Sequence, residues 1–208
     1  IEEKKKKREP YLDKIKGSII GGAAGDALGY AVEFQQDYQI FKIYGSSGIT
    51  EYDLVESTAQ ISDDTQMTLF TANAILFGAT RLAMRGIGGD PMIYAPQAYL
   101  DWYTTQRLDY QEGQNIKRYN GKGGISWLLD VPELYARRAP GNTCLSALNA
   151  LLNGESKSDY IKEPMNNSKG CGGIMRVAPL GLHYNSNLNN ISKIDMTGAK
   201  LSAITHGH

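Results

Sequence analysis

The sequence predicts an all-α fold, and three observations predict it. Apolar residues recur at spacings of three and four in several separate segments, the mark of one-sided helices. The strict alternation of apolar and polar residues that marks strands is missing throughout. Glycines and polar clusters punctuate the periodic segments where helices would stop. No internal repeat and no clear linker interrupts this pattern. One helical domain is therefore expected over residues 11–208, after a basic flexible tail over residues 1–10.

The elements follow in order. Residues 13–34 are small and apolar, with Ile15, Ile19, Ile20, Ala23, Ala24, Ala27 and Leu28. Gly21, Gly22 and Gly25 each weaken a helix by roughly 1 kcal/mol relative to Ala, and close approach of a neighbouring helix or ligand is their expected benefit. Residues 64–85 give the clearest stripe, with Met67, Phe70, Ala74 and Phe77. Ser62 is the expected N-cap, acidic residues follow in the first turn, and Gly86 with Gly88 and Gly89 ends the helix. Residues 91–106 form the next helix, carrying Tyr94, Ala98 and Trp102. Asn142 or Thr143 caps a short helix through Leu145, Leu148, Leu151 and Leu152, closed by Gly154. Residues 155–170 are polar and read as a loop. A short helix is expected over 175–182, and a weaker amphipathic one over 192–205, with Ile194, Leu201 and Ile204.

Bulk properties narrow the function. Lys plus Arg equals 22 and Asp plus Glu equals 22, so the net charge is zero. No broad nucleic-acid or membrane-binding surface is expected. Cys144 and Cys171 are too few for a disulfide framework, so a reduced, cytoplasmic setting is the default. No apolar run approaches the ~20 residues of a membrane span. The run Lys4 to Arg8 can bind nucleic acid or serve as a nuclear address, but is read as a solvated tail. Ile1 at the start suggests a piece of something longer.

Four clusters are candidates for chemistry. Ser62-Asp63-Asp64-Thr65 opens a helix, where the dipole offsets part of the repulsion between adjacent carboxylates. A hard divalent cation would offset more, and the alternative is an ordinary acidic first turn. Asp26 and Glu33 are seven apart, near one face of a continuous helix, among apolar neighbours. Carboxylates there either accept internal hydrogen bonds or carry shifted pKa values for catalysis. Residues 167–176 form a glycine-rich loop entering a helix, able to offer backbone N–H groups to phosphate. It is neither a Walker loop nor a dinucleotide fingerprint, and Cys171 lacks an assignable histidine partner that would make it a nucleophile. His206 and His208 are a poor transition-metal pair; His206 reads as a pocket or core residue at a helix end.

In this order the stretches GSIIGGAAGDALGYAVEF (17–34), ISDDTQMTL (61–69), APGNTCLSAL (139–148), SKGCGGIMRVAPLGL (168–182) and SAITH (202–206) resemble the ADP-ribosylglycohydrolase family. Any one is weak, whereas all five in sequence are specific. The resemblance implies a compact multi-helix bundle with two central Mg²⁺ ions, or Mn²⁺ in their place. It implies Ser62, Asp63 and Asp64 as metal ligands, Ser62 standing where some relatives have Thr. It implies Glu33 as the general acid or base, a structural role for Asp26, and Ser168, Gly170, Gly172 and Gly173 lining the ADP-ribose site. His206 would lie near a ribose or the adenosine. Many relatives carry Gly-Asn-Gly where this chain has Gly170-Cys171-Gly172-Gly173, so the side-chain contacts there differ while the backbone role is kept.

The family also carries a later Gly-Gly-Asp-Thr-Asp-Thr motif that completes the metal site, and Asp159 and Asp195 do not substitute for it. The expectation is therefore a bundle lacking its C-terminal part, with a separate C-terminal fragment as one way to complete the site. The implied activity is metal-assisted hydrolysis of the N-glycosidic bond to ADP-ribose, with protein arginine the favoured acceptor. The substrate would be an ADP-ribosylated protein or an ADP-ribose-containing small molecule. A non-catalytic ADP-ribose-binding protein, crystallin-like or antitoxin-like, is the alternative.

Overall fold

A computed structural model describes residues 2–87, 90–119, 124–184 and 191–208. Among them are eight α-helices and one two-stranded hairpin, so the fold is all-α as the sequence predicts. Gly88 and Gly89, expected to help stop a helix, lie outside the described residues. The chain divides into two compact units, residues 1–65 and 66–208.

In the first unit α1 runs Glu2–Tyr30 and α2 Asp37–Tyr44. The basic run expected to form a tail thus lies within α1. Lys, Glu and Arg are strong helix formers, so local propensity extends the helix N-terminal to the apolar stretch. At its other end α1 stops at Tyr30, and residues 31–34 form turns. Glu33 is therefore outside the helix that was expected to carry it, and it is exposed. Nor does any described atom lie within 4 Å of where a Cβ would sit on Gly21, Gly22 or Gly25. The close approach those glycines suggested is not seen.

The hairpin pairs β1 (Leu54–Val55) with β2 (Thr58–Ala59), in the antiparallel register Leu54 to Ala59 and Val55 to Thr58. Its two turn residues, Glu56 and Ser57, both have positive φ, at 49° and 65°. That is the primed-turn geometry that matches strand twist. Two-residue strands are too short to show alternation in sequence.

Helix α3 spans Asp63–Arg85 and ends where Gly86 takes φ 65° and donates its N–H to the Leu82 carbonyl. The second unit continues with α4 (Ala95–Arg107), α5 (Tyr110–Tyr119), α6 (Asn142–Leu152), α7 (Ala178–Tyr184) and α8 (Ile191–Ala203). The helix expected from residue 91 opens instead as a 3₁₀ turn, Pro91–Ile93, because Pro96 favours the first turn of the helix proper. The helix expected over 175–182 starts three residues later, after the 3₁₀ turn Cys171–Gly173.

The core of this unit draws on five of its helices. Met67, Phe70 and Ala74 come from α3, Ala95, Ala98, Tyr99 and Trp102 from α4, Cys144 and Leu148 from α6, Leu180 from α7 and Leu201 from α8. Several polar groups inside it pair with one another. Trp102 Nε1 and Gln106 Nε2 both donate to Gln66 Oε1 at 3.0 Å, and the Thr71 and Tyr99 hydroxyls meet at 2.8 Å. By length and composition α3 could cross a membrane, with mean hydropathy 1.2 over its most apolar window. Its inward side is instead spent on this core, and Gln66 and Asn73 on the same helix bond to the Ala136 and Ile125 carbonyls.

Candidate active site

Two groups of candidate residues are assembled, one in each unit. In the first, Asp26 on α1 is a hub. Its Oδ2 accepts hydrogen bonds from the backbone N–H of Ser62 at 2.9 Å, the N–H of Thr65 at 3.2 Å and the Thr65 hydroxyl. Backbone donors at a helix start have no partner within the helix, so a carboxylate on another element satisfies them and the dipole together. Ser62 sits where an N-cap is expected, its Oγ accepting from the Asp64 N–H at 3.1 Å. Ser62 and Asp63 are buried and Asp64 is exposed.

The electrostatics of this group are one-signed. Partial burial and then the Asp26 charge raise the Asp64 pKa. Burial, then Asp64, then Asp26 raise that of Glu33. Each of these carboxyls is held above its ordinary value first because burial disfavours its charged form and then because ionising it adds a like charge beside its neighbours. Glu33, although off the helix, thus belongs to the same electrostatic neighbourhood as Asp26 and Asp64.

The donors fit a hard cation in kind: two carboxylates and a hydroxyl, all oxygen, with repulsion that a divalent ion would relieve. They do not form a finished cage. Among the described residues no three His, Cys, Asp or Glu side chains are grouped closely enough to hold a metal.

The second group surrounds the glycine-rich loop. Ser168 Oγ accepts from the Gly170 N–H at 3.3 Å and lies 3.3 Å from the Thr143 hydroxyl at the start of α6. Asn166 staples the loop to the end of the chain. Its Nδ2 donates to the Thr205 carbonyl at 2.8 Å, and its Oδ1 accepts from the Ser168 N–H at 3.0 Å and the Gly207 N–H at 3.3 Å.

The glycines have a steric reason. A Cβ on Gly172 would lie 2.8 Å from His206 Cε1 and 3.2 Å from Cys144 Sγ. One on Gly173 would lie 2.8 Å from Ser202 Cβ, and one on Gly170 would lie 3.2 Å from His206 Nε2. The loop is thus pressed against the half-buried His206 ring. Ser168, Gly170, Gly172, Gly173 and His206 are brought together, as a shared role requires.

Beneath them lies Arg176, fully buried. One terminal nitrogen donates to the Leu201 carbonyl at 2.9 Å and to Thr205 Oγ1 at 2.7 Å, and the guanidinium stacks 4.4 Å from the Tyr99 ring centre. Burial, then the Arg176 charge, holds the His206 pKa below its usual value. Sequence reasoning passed over Asn166, Thr205 and Arg176. Arg176 lay inside a quoted motif, but nothing in a single sequence tells a buried arginine from a surface one. Cys171 is exposed and Cys144 buried, and neither is in a disulfide.

The order of these groups along the chain is also that of a known family, whose model matches residues 7–208. The chain belongs to the ADP-ribosylglycohydrolase family. No curated protein and no solved structure matches it. Membership of the ADP-ribosylglycohydrolases sets the reaction class, hydrolysis of a bond to ADP-ribose in a conjugate.

Proposed function

We propose that the protein removes ADP-ribose from modified arginine side chains by divalent-metal-assisted cleavage of the N-glycosidic bond. The observation that carries this reading is the gathering of Glu33, Asp64 and Asp26, where partial burial and then the neighbouring charges raise the pKa of the first two. A carboxyl that keeps its proton above the ordinary range suits general acid work near neutrality.

Glu33 has that role in the proposal. Its protonated carboxyl donates to the arginine nitrogen as the C–N bond breaks, through a transition state of oxocarbenium character. A water adds to the anomeric carbon and returns its proton to the Glu33 carboxylate, so the residue ends as it began. Ser62, Asp63 and Asp64 would hold Mg²⁺ or Mn²⁺, which supplies Lewis-acid polarisation and fixed orientation of sugar oxygens. Asp26 holds the N-terminal turn of α3 in place, through its bonds to Ser62 and Thr65. In the second unit Ser168, Gly170, Gly172, Gly173 and His206 are assigned to binding the ADP-ribose moiety.

The test is ADP-ribose release from ADP-ribosyl-arginine and ADP-ribosyl-serine peptides, with Mg²⁺ and with a chelator. Release from arginine that the chelator stops, and that Glu33→Gln, Asp63→Ala and Asp64→Ala each reduce by about 10²-fold or more, is the expected result. Release only from serine would move the acceptor and keep the chemistry. ADP-ribose binding without release under any metal would replace the hydrolase reading with that of a binding protein.

A further inference from the structure

We propose that Thr205 and Arg176 are positioning residues that hold His206 in its Nε2-protonated tautomer, so that it offers one N–H to a phosphate oxygen seated beside Gly170 and Gly172. The ligand half of this proposal rests on the ADP-ribose reading above. The tautomer half does not.

The argument is proton counting. Thr205 is fully buried, and among the described residues its hydroxyl has two hydrogen-bond neighbours, an Arg176 terminal nitrogen at 2.7 Å and His206 Nδ1 at 2.9 Å. Arginine only donates, so the first contact occupies a lone pair of the hydroxyl oxygen. The hydroxyl's own proton then has one acceptor within reach, Nδ1. A nitrogen that accepts carries no proton, so the neutral ring carries it on Nε2. The depressed His206 pKa, caused by burial and by Arg176, agrees with a neutral ring.

Nε2 has no hydrogen-bond partner among the described residues. It lies at the edge of the ring that meets the bare backbone of two glycines, because a Cβ on either Gly170 or Gly172 would lie 3.2 Å from it. A donor beside bare backbone calls for an acceptor. The charge behind it selects which kind. Arg176 has no carboxylate partner among the described residues, and its Nε is buried without a hydrogen bond. A cation buried in a low-dielectric core, and met there by carbonyls, a hydroxyl, the Met67 and Cys144 sulfurs and a ring but by no carboxylate among the described residues, keeps its field. That field favours an anionic oxygen over a neutral sugar hydroxyl.

The experiment reads the tautomer directly. Long-range ¹H–¹⁵N spectra of the ¹⁵N-labelled full chain above pH ~7.5 separate the two neutral forms of each of its three histidines; His206→Gln assigns the signals. The expected result is Nε2–H at His206 in the unaltered protein and in Thr205→Ser, with a mixture of tautomers in Thr205→Val. ADP-ribose and inorganic diphosphate should shift the Nε2 signal and adenosine should not. Thr205→Val should weaken ADP-ribose binding by about tenfold, the worth of one good hydrogen bond, and Thr205→Ser should restore it. Nδ1–H at His206 in the unaltered protein would overturn the positioning role even if ADP-ribose binds well, and so would an unchanged tautomer in folded Thr205→Val. If Thr205→Val does not fold, the unaltered protein's tautomer still decides. An expected tautomer with no shift from ADP-ribose or diphosphate would overturn the ligand half together with the ADP-ribose reading. Equal shifts from adenosine would overturn the phosphate assignment alone.

Discussion

The two units are held together by different physics. Among described residues of the first, Ala27 is the only buried apolar side chain, while Ile20, Phe34, Tyr38, Phe41 and Ile43 are all more than half exposed. Helix α2 buries nothing. Its order comes from helix propensity, caps and the bonds that converge on Asp26. The second unit has a closed apolar core with Trp102, Tyr99, Phe70 and Met67 fully buried. The same contrast runs through the charges. The first unit exposes crowded carboxylates, and the second hides an arginine with no acidic partner among the described residues. Under the proposed function the contrast has a use: carboxylates that act on substrate would have to meet water and cations, whereas a loop that binds a ligand by its backbone would have to be held rigidly from below.

Truncating the core should give the largest effect. Trp102→Ala removes a fully buried ring and leaves Gln66 Oε1 with one donor fewer, so a loss of about 3–5 kcal/mol in urea unfolding is expected. The matching change in the first unit, Phe41→Ala, should cost less than about 0.5 kcal/mol, because that ring is already 52 % exposed. Similar losses for both would mean that the first unit has a core of its own.

Next in size is the polar hub. Asp26→Ala leaves two backbone N–H groups and the Thr65 hydroxyl without their acceptor, for an expected cost of about 1–3 kcal/mol. Amide exchange at Ser62 and Thr65 is the direct check. Protection lost there, but unchanged at Tyr99 and Leu148, would show that the hub orders only its own unit. Protection unchanged at Ser62 and Thr65 would remove Asp26 from that role.

How much of this was legible in the sequence follows the same division. The helices of the core showed themselves because burial imposes a period on the residues: Met67, Phe70 and Ala74 are spaced by three and four and are all buried. Helix α2 and the hairpin bury almost nothing, so no stripe betrays them. Glu33 was placed on a helix that stops at Tyr30, since a run of small residues does not say where the backbone turns. The motif residues of both candidate groups stood in the sequence, and the resemblance gathered them in order. What joins them did not. The Asp26 bonds to Ser62 and Thr65, the Asn166 bonds to Thr205 and Gly207 and the Arg176 bond to Thr205 link residues far apart in sequence, and no local pattern encodes such a partner.

Smaller again is the fit of the loop. Gly172→Ala places a methyl 2.8 Å from His206 Cε1 and 3.2 Å from Cys144 Sγ, so the ring has to move. The expected cost is about 1–2 kcal/mol of stability with a larger relative loss of ADP-ribose affinity. Gly141→Ala, with open space at the Cβ position, is the control and should change neither. A Gly172→Ala protein that binds as well as the control would show that the loop's close fit to His206 does not matter for binding.

The smallest effect is the most diagnostic, because its sign changes with conditions. Asp64 has a folded-state pKa above its ordinary value, and so has Glu33. A carboxyl raised on folding binds its proton more tightly in the folded chain. Its contribution is therefore fully present below the ordinary carboxylate range and is lost as pH rises through the folded value. Without metal, the first unit should gain stability on acidification from neutral pH. The second should first move the other way just below pH ~6.5, where the unfolded histidines take up protons that His183 and His206, both held low, resist, until the buried Asp101 carboxyl, held high, begins to take up its own proton. Asp64→Asn removes one of the crowded charges. In a chelator at pH 7 it should stabilise the chain, by roughly 0.5 kcal/mol given how exposed the group is. In excess Mg²⁺ the order should reverse, because binding to the folded state stabilises only the protein that keeps the ligand. Thermal melts of both proteins in both buffers decide it. A destabilised Asn variant in chelator would mean Asp64 is held by favourable bonds rather than by repulsion, and melts indifferent to Mg²⁺ would remove the cation from Ser62, Asp63 and Asp64.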